Sequence, residues 1–289
     1  MLYSKPVTDI IRARYSCRKY SEQSIKEQDR QALEHFMAAP QVGPFGTQSR
    51  FALVAATEQD RQALKGLATY GVIRGATGFI VGAQKEQGKS LEDFGYLMER
   101  IILYATDIGL GTCWMGGTFR KSRFARKIAL NKDESLPAAT PVGYIGGDPK
   151  DDVIRQRAGG ARRLSWDKLF FDAEFGAPLS REAAGLYETP LEMVRLGPSA
   201  SNKQPWRIVK DGNVYHLYIQ RTPRYTQSAI VRLVKIADLQ RIDAGIAMSH
   251  FEFTASEAGL EGKWEIRDPG LARPDGLTEY VVSWVGEAD

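Results

Sequence analysis

Apolar positions recur in two helical rhythms far apart in the chain. Between residues 91 and 108 they stand at 94, 97, 98, 101, 102 and 105, a wide stripe suited to a central packing helix. A second long helix is predicted over 236–258, where Leu239, Ile242, Ile246, Met248 and Phe251 mark the apolar positions. Shorter periodic runs predict helices at 6–14, 26–39, 58–69, 118–129 and 191–196, and apolar runs predict strands at 51–56, 77–82, 138–146, 207–209, 263–267 and 278–284. Either half alone would expose the stripe of its long helix, so the halves should pack tightly rather than hang on a linker.

The two halves also share landmarks. Leu33-Glu34 with Pro40 seven residues on matches Leu191-Glu192 with Pro198 seven on, and Gln48 falls where Gln204 falls if the first copy has two extra residues. Ala105–Trp114 matches Ala255–Trp264, and Tyr144-Ile145-Gly146 matches Trp284-Val285-Gly286. The landmarks keep one order at offsets of 140 to 158 residues, near half of the 289, which suggests duplication of a whole domain rather than a solenoid.

Composition removes several classes. With 43% hydrophobic and 26% charged residues the profile is that of a globular protein. A net charge of +4, without Lys/Arg runs interleaved with aromatics, gives no reason to expect a nucleic-acid partner. Two distant cysteines, Cys17 and Cys113, make no disulfide framework, and His35, His216 and His250 stand in unrelated segments, against a zinc or iron site. No apolar run approaches the roughly 18 residues of a membrane span, and the N-terminal stretch mixes charge into its apolar residues unlike a signal peptide. The default expectation is a cytoplasmic protein without a membrane partner.

Four stretches carry candidate chemistry. Arg14-Tyr-Ser-Cys-Arg-Lys-Tyr20 gathers basic groups and a hydroxyl after a helix; this is either a solvated basic patch or a clamp for phosphate oxygens. Gly109-Leu-Gly-Thr-Cys-Trp-Met-Gly-Gly117 is either a glycine helix cap leading into a strand or a place where backbone comes close to a flat ligand. Residues 151–165, with Arg155, Arg157, Arg162 and Arg163, read as the link between halves. Pro198-Ser-Ala-Ser-Asn-Lys-Gln-Pro-Trp206 is an ordinary helix-to-strand connector by layout, but dense in small groups able to bond a polar heterocycle.

This last stretch resembles the Pro-Ser-x-x-Asn-x-Gln-Pro-Trp loop of the flavin-dependent nitroreductase family, and Arg14-x-Ser16-x-Arg18 resembles that family's opening motif. The resemblance implies an α+β, nitroreductase-like fold of two related halves, 1–165 and 166–289, packed as an intramolecular pseudo-dimer. It implies FMN as cofactor. Arg14, Ser16 and Arg163 would hold the phosphate, and Arg18 would reach the N1/O2 edge of the ring. Trp114, Met115, Gly116 and Gly117 would flank N5, and Pro198, Ser199 and Asn202 would cover the ring or ribityl chain from the other half. The first copy keeps the phosphate motif and reads Gly46-Thr-Gln-Ser-Arg50 where the loop should be; the second keeps the loop without an Arg-x-Ser-x-Arg ahead of it. Complementary losses fit a monomer with one complete site. The activity so implied is NAD(P)H-dependent two-electron reduction of a small-molecule acceptor, a nitroaromatic, quinone or activated alkene. No catalytic side chain is called for, since flavin carries the chemistry and acceptor protons can come from water. The alternative is a degenerate member that binds flavin or nucleotide without turnover, as carrier or interaction module.

Overall fold

Two long helices cross at the centre of the molecule, and glycine sets how closely. In the computed structural model, which describes residues 2–39, 42–54, 72–117, 119, 121–157, 159–223 and 236–287, the first central helix is Ser90–Asp107 and the second Leu239–Glu257. A Cβ at Gly95 would fall 2.2 Å from the Ile242 carbonyl oxygen, and one at Gly245 would fall 1.9 Å from that of Glu92. Only glycine allows this approach, and the two contacts are counterparts: 92 pairs with 245 as 242 pairs with 95.

Both helices end the same way. Gly109 and Gly259 turn out of the helix at φ +83° and +74°. Leu110 and Leu260 then donate their amides back to the carbonyls of Ala105 and Ala255 at 2.8 and 2.9 Å, a glycine-based helix stop. The second helix starts later than the periodicity predicts, because the Asp238 side chain accepts from the Gln240 amide and caps it there. Burial is also wider than a stripe: on the first helix only Leu91, Arg100, Tyr104 and Thr106 escape it. The partner helix covers the side that a sheet leaves open, so acidic residues such as Glu92, Asp93 and Glu99 are buried too.

Each helix belongs to its own sheet. In the first, Ser49–Val54 (β1), Gly78–Lys85 (β2), Ala139–Gly143 (β5) and Gly111–Thr112 (β3) run in the order β1-β2-β5-β3, with Glu134–Ser135 (β4) added beside β2. In the second, Trp206–Asp211 (β7), Val214–Gln220 (β8), Thr278–Gly286 (β10) and Gly262–Glu265 (β9) run β7-β8-β10-β9, with Phe170–Asp172 (β6) parallel to β7 at the edge. The two four-strand orders correspond strand for strand, and those pairings are antiparallel.

The helices at 7–13, 27–38, 121–127 and 188–196 lie where periodicity places them, to within a few residues. The predicted helix at 58–69 lies outside the described residues. The sequence reading passed over β8, although Asp211-Gly212-Asn213 ahead of Val214-Tyr-His-Leu-Tyr-Ile-Gln220 is a hairpin signal, with Gly212 at φ +59°. It also passed over β6, whose three residues are too few for periodicity to register.

Candidate functional site

The first wall of the site is built where the chain leaves its opening helix, Val7–Ala13. Arg14 turns extended, Ser16 bridges to Thr112 in parallel, and the Cys17 amide donates to the Thr112 carbonyl at 2.7 Å. In extended chain alternate residues share a side, which groups Arg14, Ser16 and Arg18. Ser16 and Arg18 line a cavity of about 210 Å³ at the junction of the halves. Arg14 lies deeper, buried beside Glu99 of the first central helix, with Nε 3.6 Å from Oε1.

After β3 the next residues divide between the cavity and the far side of the sheet. Trp114 lines the cavity, as do Gly116 and Gly117. Met115 does not: its amide donates to the Ala139 carbonyl at 2.9 Å, and its side chain packs with Phe119 and Phe124 behind the sheet. The two glycines make room for the second half. A Cβ on Gly116 would meet Leu239 Cδ2 at 2.3 Å, and one on Gly117 would meet Ile236 Cδ1 at 2.8 Å.

The opposite wall is the loop after the helix Glu188–Leu196 together with the second central helix. Pro198 and Ser199 reach the cavity, followed by Ala200 and Ser201. Asn202 and Arg163 do not line it. Asn202 Nδ2 donates to the carbonyls of Gly159 and Arg162 at 2.7 and 3.0 Å, and its Oδ1 accepts from Arg163 at 3.3 Å. Arg163 also donates to the Leu196 and Gly160 carbonyls, and the Gln204 side chain accepts the Leu164 amide at 2.7 Å. The most polar residues of this loop thus clip it to the inter-half link. They also hold strained backbone, since Ser201, Asn202 and Gln204 sit at φ +50°, +54° and +48°. From the second central helix, Leu239, Ile242, Asp243 and Ile246 complete the wall.

Behind the first wall is a buried polar network absent from the sequence reading. Glu99 Oε2 accepts from Trp114 Nε1 at 2.7 Å, and Oε1 lies 2.9 Å from His250 Nε2, whose ring is held from the other side by the Met193 carbonyl at 2.9 Å. Burial alone would push the Glu99 carboxyl up, but His250, Arg14 and Trp114 together outweigh it and hold it below the usual range. An acid in the middle of a buried helix is the signal that could have found it. Its partner His250 lies 151 positions away, a separation no local pattern reveals.

Positive charge around Arg14 exceeds what this carboxylate balances. Arg14 Nε is buried without a hydrogen-bond partner. Burial, then the neighbouring Arg14, Arg155 and Arg195, pull Arg163 down to about 10. Guanidinium groups gathered in this way can receive an anion, and their forked donors suit phosphate oxygens. Arg18 differs, being engaged by Asp152 at 2.8 Å. The donor set fits a flat polar ring with an anionic tail. At about 210 Å³ the cavity is smaller than the ~300–1,000 Å³ common for small-molecule sites, and Leu239 is one of the side chains that narrow it. Among the described residues, no cluster of His, Cys, Asp and Glu is arranged to hold a metal ion, and no helix is long and apolar enough to cross a membrane.

Two sheets of corresponding order, a central helix in each, and a cavity walled by both halves make this a nitroreductase-like α+β protein. The family model described as "Putative TM nitroreductase" matches residues 6–255, and the chain belongs to that family. Among solved structures, it is similar to a putative nitroreductase from Thermotoga maritima at 19% identity, over 97% of this chain and 94% of that one, with a TM-score of 0.61. A nitroreductase with bound FMN from Desulfitobacterium hafniense matches at 19% identity over 50% of this chain and 91% of its own, with a TM-score of 0.40. An NADPH:FMN oxidoreductase from Vibrio harveyi complexed with NAD+ matches at 16% identity over 50% of this chain and 71% of its own, also at 0.40. No curated protein matches the chain.

Proposed function

We propose that this protein is an FMN-dependent, NAD(P)H-consuming oxidoreductase that reduces nitroaromatic, quinone or activated-alkene acceptors two electrons at a time. One observation carries this reading. A cavity is walled by Ser16 and Arg18 from one half and Pro198–Ser201 from the other, and two residues before Ser16 stands a buried arginine, Arg14, whose Nε has no hydrogen-bond partner. Bound FMN would supply hydride acceptance and donation; the chain's own residues bind, orient and exclude water. Arg14, with Arg163 behind it, faces the anionic tail with charge that Glu99 only partly balances. Arg18 presents a cation where negative charge accumulates on a reduced ring, and Asp152 keeps it oriented until then. Trp114, fixed by Glu99, and Pro198 with Ser199 would hold the ring between the two walls, and Gly116 and Gly117 would leave room beside it. Asn202 acts indirectly, by holding the loop to residues 159–163. On this reading 1–165 and 166–289 are the two halves of an internal pseudo-dimer. The chain is a cytoplasmic monomer with one site, and neither nucleic acid nor membrane is a partner.

The narrowness of the cavity and the Arg18–Asp152 pair favour a second reading, a member that holds flavin or nucleotide without turning over. An absorption spectrum of the purified protein freed of excess FMN, followed by anaerobic NADPH and NADH, separates the two. One flavin per chain, bleached by a nicotinamide, is the expected result. A flavin that stays oxidised would move the assignment to a carrier, and no flavin after reconstitution would refute the enzyme and the flavin carrier alike.

A further inference from the structure

The two central helices carry an aspartate at matched positions, Asp93 and Asp243, and the copies treat it differently. Asp93 is closed off. Its carboxylate accepts from the Phe45 and Thr47 amides, each at 2.9 Å, and from the Thr47 hydroxyl at 2.7 Å. Gly43 lies so close that a Cβ there would fall 2.2 Å from Asp93 Cγ. Asp243 sits against the corresponding loop of the second half but accepts there from the Ala200 amide, at 3.0 and 3.2 Å. Where the first loop offers two amides and a threonine hydroxyl, the second offers one amide, and Asp243 forms part of the cavity wall.

A carboxylate offers about four acceptor sites, and one amide leaves most of the charge of a buried group unsolvated. Burial pushes Asp243 well above the usual carboxylate range, and the Asp238 charge, at the start of the same helix, adds to the push; the Ala200 amide works the other way. Across the cavity, Ser16 is uncharged and Arg18 is engaged by Asp152 at 2.8 Å.

The geometry points to Asp243 standing in the cavity as a neutral carboxylic acid, whose O–H donates a hydrogen bond to an acceptor atom on the ring of the bound ligand. A carboxylic acid kept neutral in an apolar site so that it can donate is a known device. Resting on the flavin reading above, the acceptor is a carbonyl oxygen or ring nitrogen of a flat heteroaromatic ring. A ring presenting N–H at this wall would meet donor with donor and bind less well. Asp243 is thus a specificity-determining residue, to which the family motifs in this sequence give no pointer.

Two measurements test this, and neither needs turnover. The first is the side-chain carboxyl carbon resonance of Asp243 in ligand-free protein carrying 13C-labelled aspartate, assigned by its loss in Asp243→Asn. It should have the shift of a neutral acid at pH 7; an ionised carboxylate there would overturn the proposal. The second is lumiflavin binding by fluorescence quenching from pH 5.5 to 9. Lumiflavin is the better probe because it lacks the phosphate of FMN, which itself titrates near pH 6. Wild-type affinity should fall as the carboxyl ionises, approaching tenfold per pH unit above its pKa. Asp243→Asn, which keeps a neutral donor, should bind within about threefold of the low-pH wild type with a flat profile, since the amide still donates one hydrogen bond at any pH in the range. Identical pH profiles in the two proteins would overturn the donor role. Lumiflavin bound by neither protein would overturn the flavin reading and with it the ring-donor role, while the carbon resonance would still decide whether the acid is neutral.

Discussion

Replacing Gly245 by alanine tests whether the two halves are held at a glycine-controlled crossing. In an ordinary helix interior this change stabilises, by up to about 1 kcal/mol of propensity. Here the new Cβ would lie 1.9 Å from the Glu92 carbonyl oxygen, 2.7 Å from the Tyr96 amide nitrogen and 2.8 Å from the Glu92 carbonyl carbon, all under the 3.0 Å that real Cβ atoms keep. All three are backbone of a buried helix, so no side-chain rotation relieves them. The helices must part by about 1 Å, and a gap of that size forfeits about a quarter to a half of each dispersion contact across it. Overpacking of this kind costs typically about 1–3 kcal/mol and occasionally more. With the lost contacts added and the propensity gain subtracted, a net loss of about 3 kcal/mol follows. At about 2–4 °C per kcal/mol for a chain of this size, the thermal midpoint should drop by about 6–12 °C. Circular dichroism melts of wild type, Gly245→Ala and Gly95→Ala provide the measurement. A Cβ at Gly95 would fall 2.2 Å from the Ile242 carbonyl oxygen, so the two variants should suffer alike. A midpoint unchanged or raised in Gly245→Ala would refute the crossing as the limiting contact, and a loss in one variant alone would refute its symmetry.

Other outcomes follow from the site. Arg14→Ala should abolish flavin retention and also cost about 3 kcal/mol by leaving buried Glu99 short of a partner; Arg14→Lys should restore most of the stability, seen in urea melts, but not the forked phosphate contact, seen in flavin retention. Asn202→Ala removes bonds to Gly159, Arg162 and Arg163, at about 1 kcal/mol each, and should speed limited proteolysis within 155–163; an unchanged cleavage rate would refute the clip. Arg50, bonded to Glu134 at 2.6 Å, holds that carboxyl down at about 2 against 4.5 when free. Its folded value is the lower one, so the stability it adds is complete above about 4.5 and disappears as pH falls to about 2; Arg50→Gln should flatten acid denaturation in that window. Asp243 has the opposite sign: its folded value lies above its unfolded one. Wild-type stability should therefore fall as pH rises from the ordinary carboxyl range to the folded value, and Asp243→Asn should melt higher than wild type at neutral pH.

The central helices and their order were legible because apolar spacing survives whatever side of a helix is buried, and the repeat was legible because Gly109 and Gly259 end both helices in the same way. Cavity residues on short motifs, such as Ser16, Arg18, Trp114 and Pro198, were legible because each motif places its residues close together in the chain, and alternate residues on extended chain share a side. Glu99, His250 and Asp243 were not, since their partners lie about 40 to 150 residues away in the chain, across the halves for Glu99 with His250 and within the second half for Asp243 with Ala200. Asn202 and Arg163 were placed against the cofactor because a polar side chain in a loop does not say which way it will bond; the structure directs both to the link carbonyls. The volume left at the cavity could not be read at all, because it depends on Leu239, 101 or more residues from every first-half residue that lines the cavity.

The crossing of Ser90–Asp107 with Leu239–Glu257 joins two stretches of one polypeptide, and that changes its response to dilution. Between separate subunits such an interface comes apart when its concentration falls below the dissociation constant, and a site built across it is lost at the same point. Tethered halves meet at an effective concentration fixed by the connecting chain, however little protein is present. The cavity shared by Ser16 and Ser199 therefore stays assembled at concentrations where a two-chain equivalent would have dissociated.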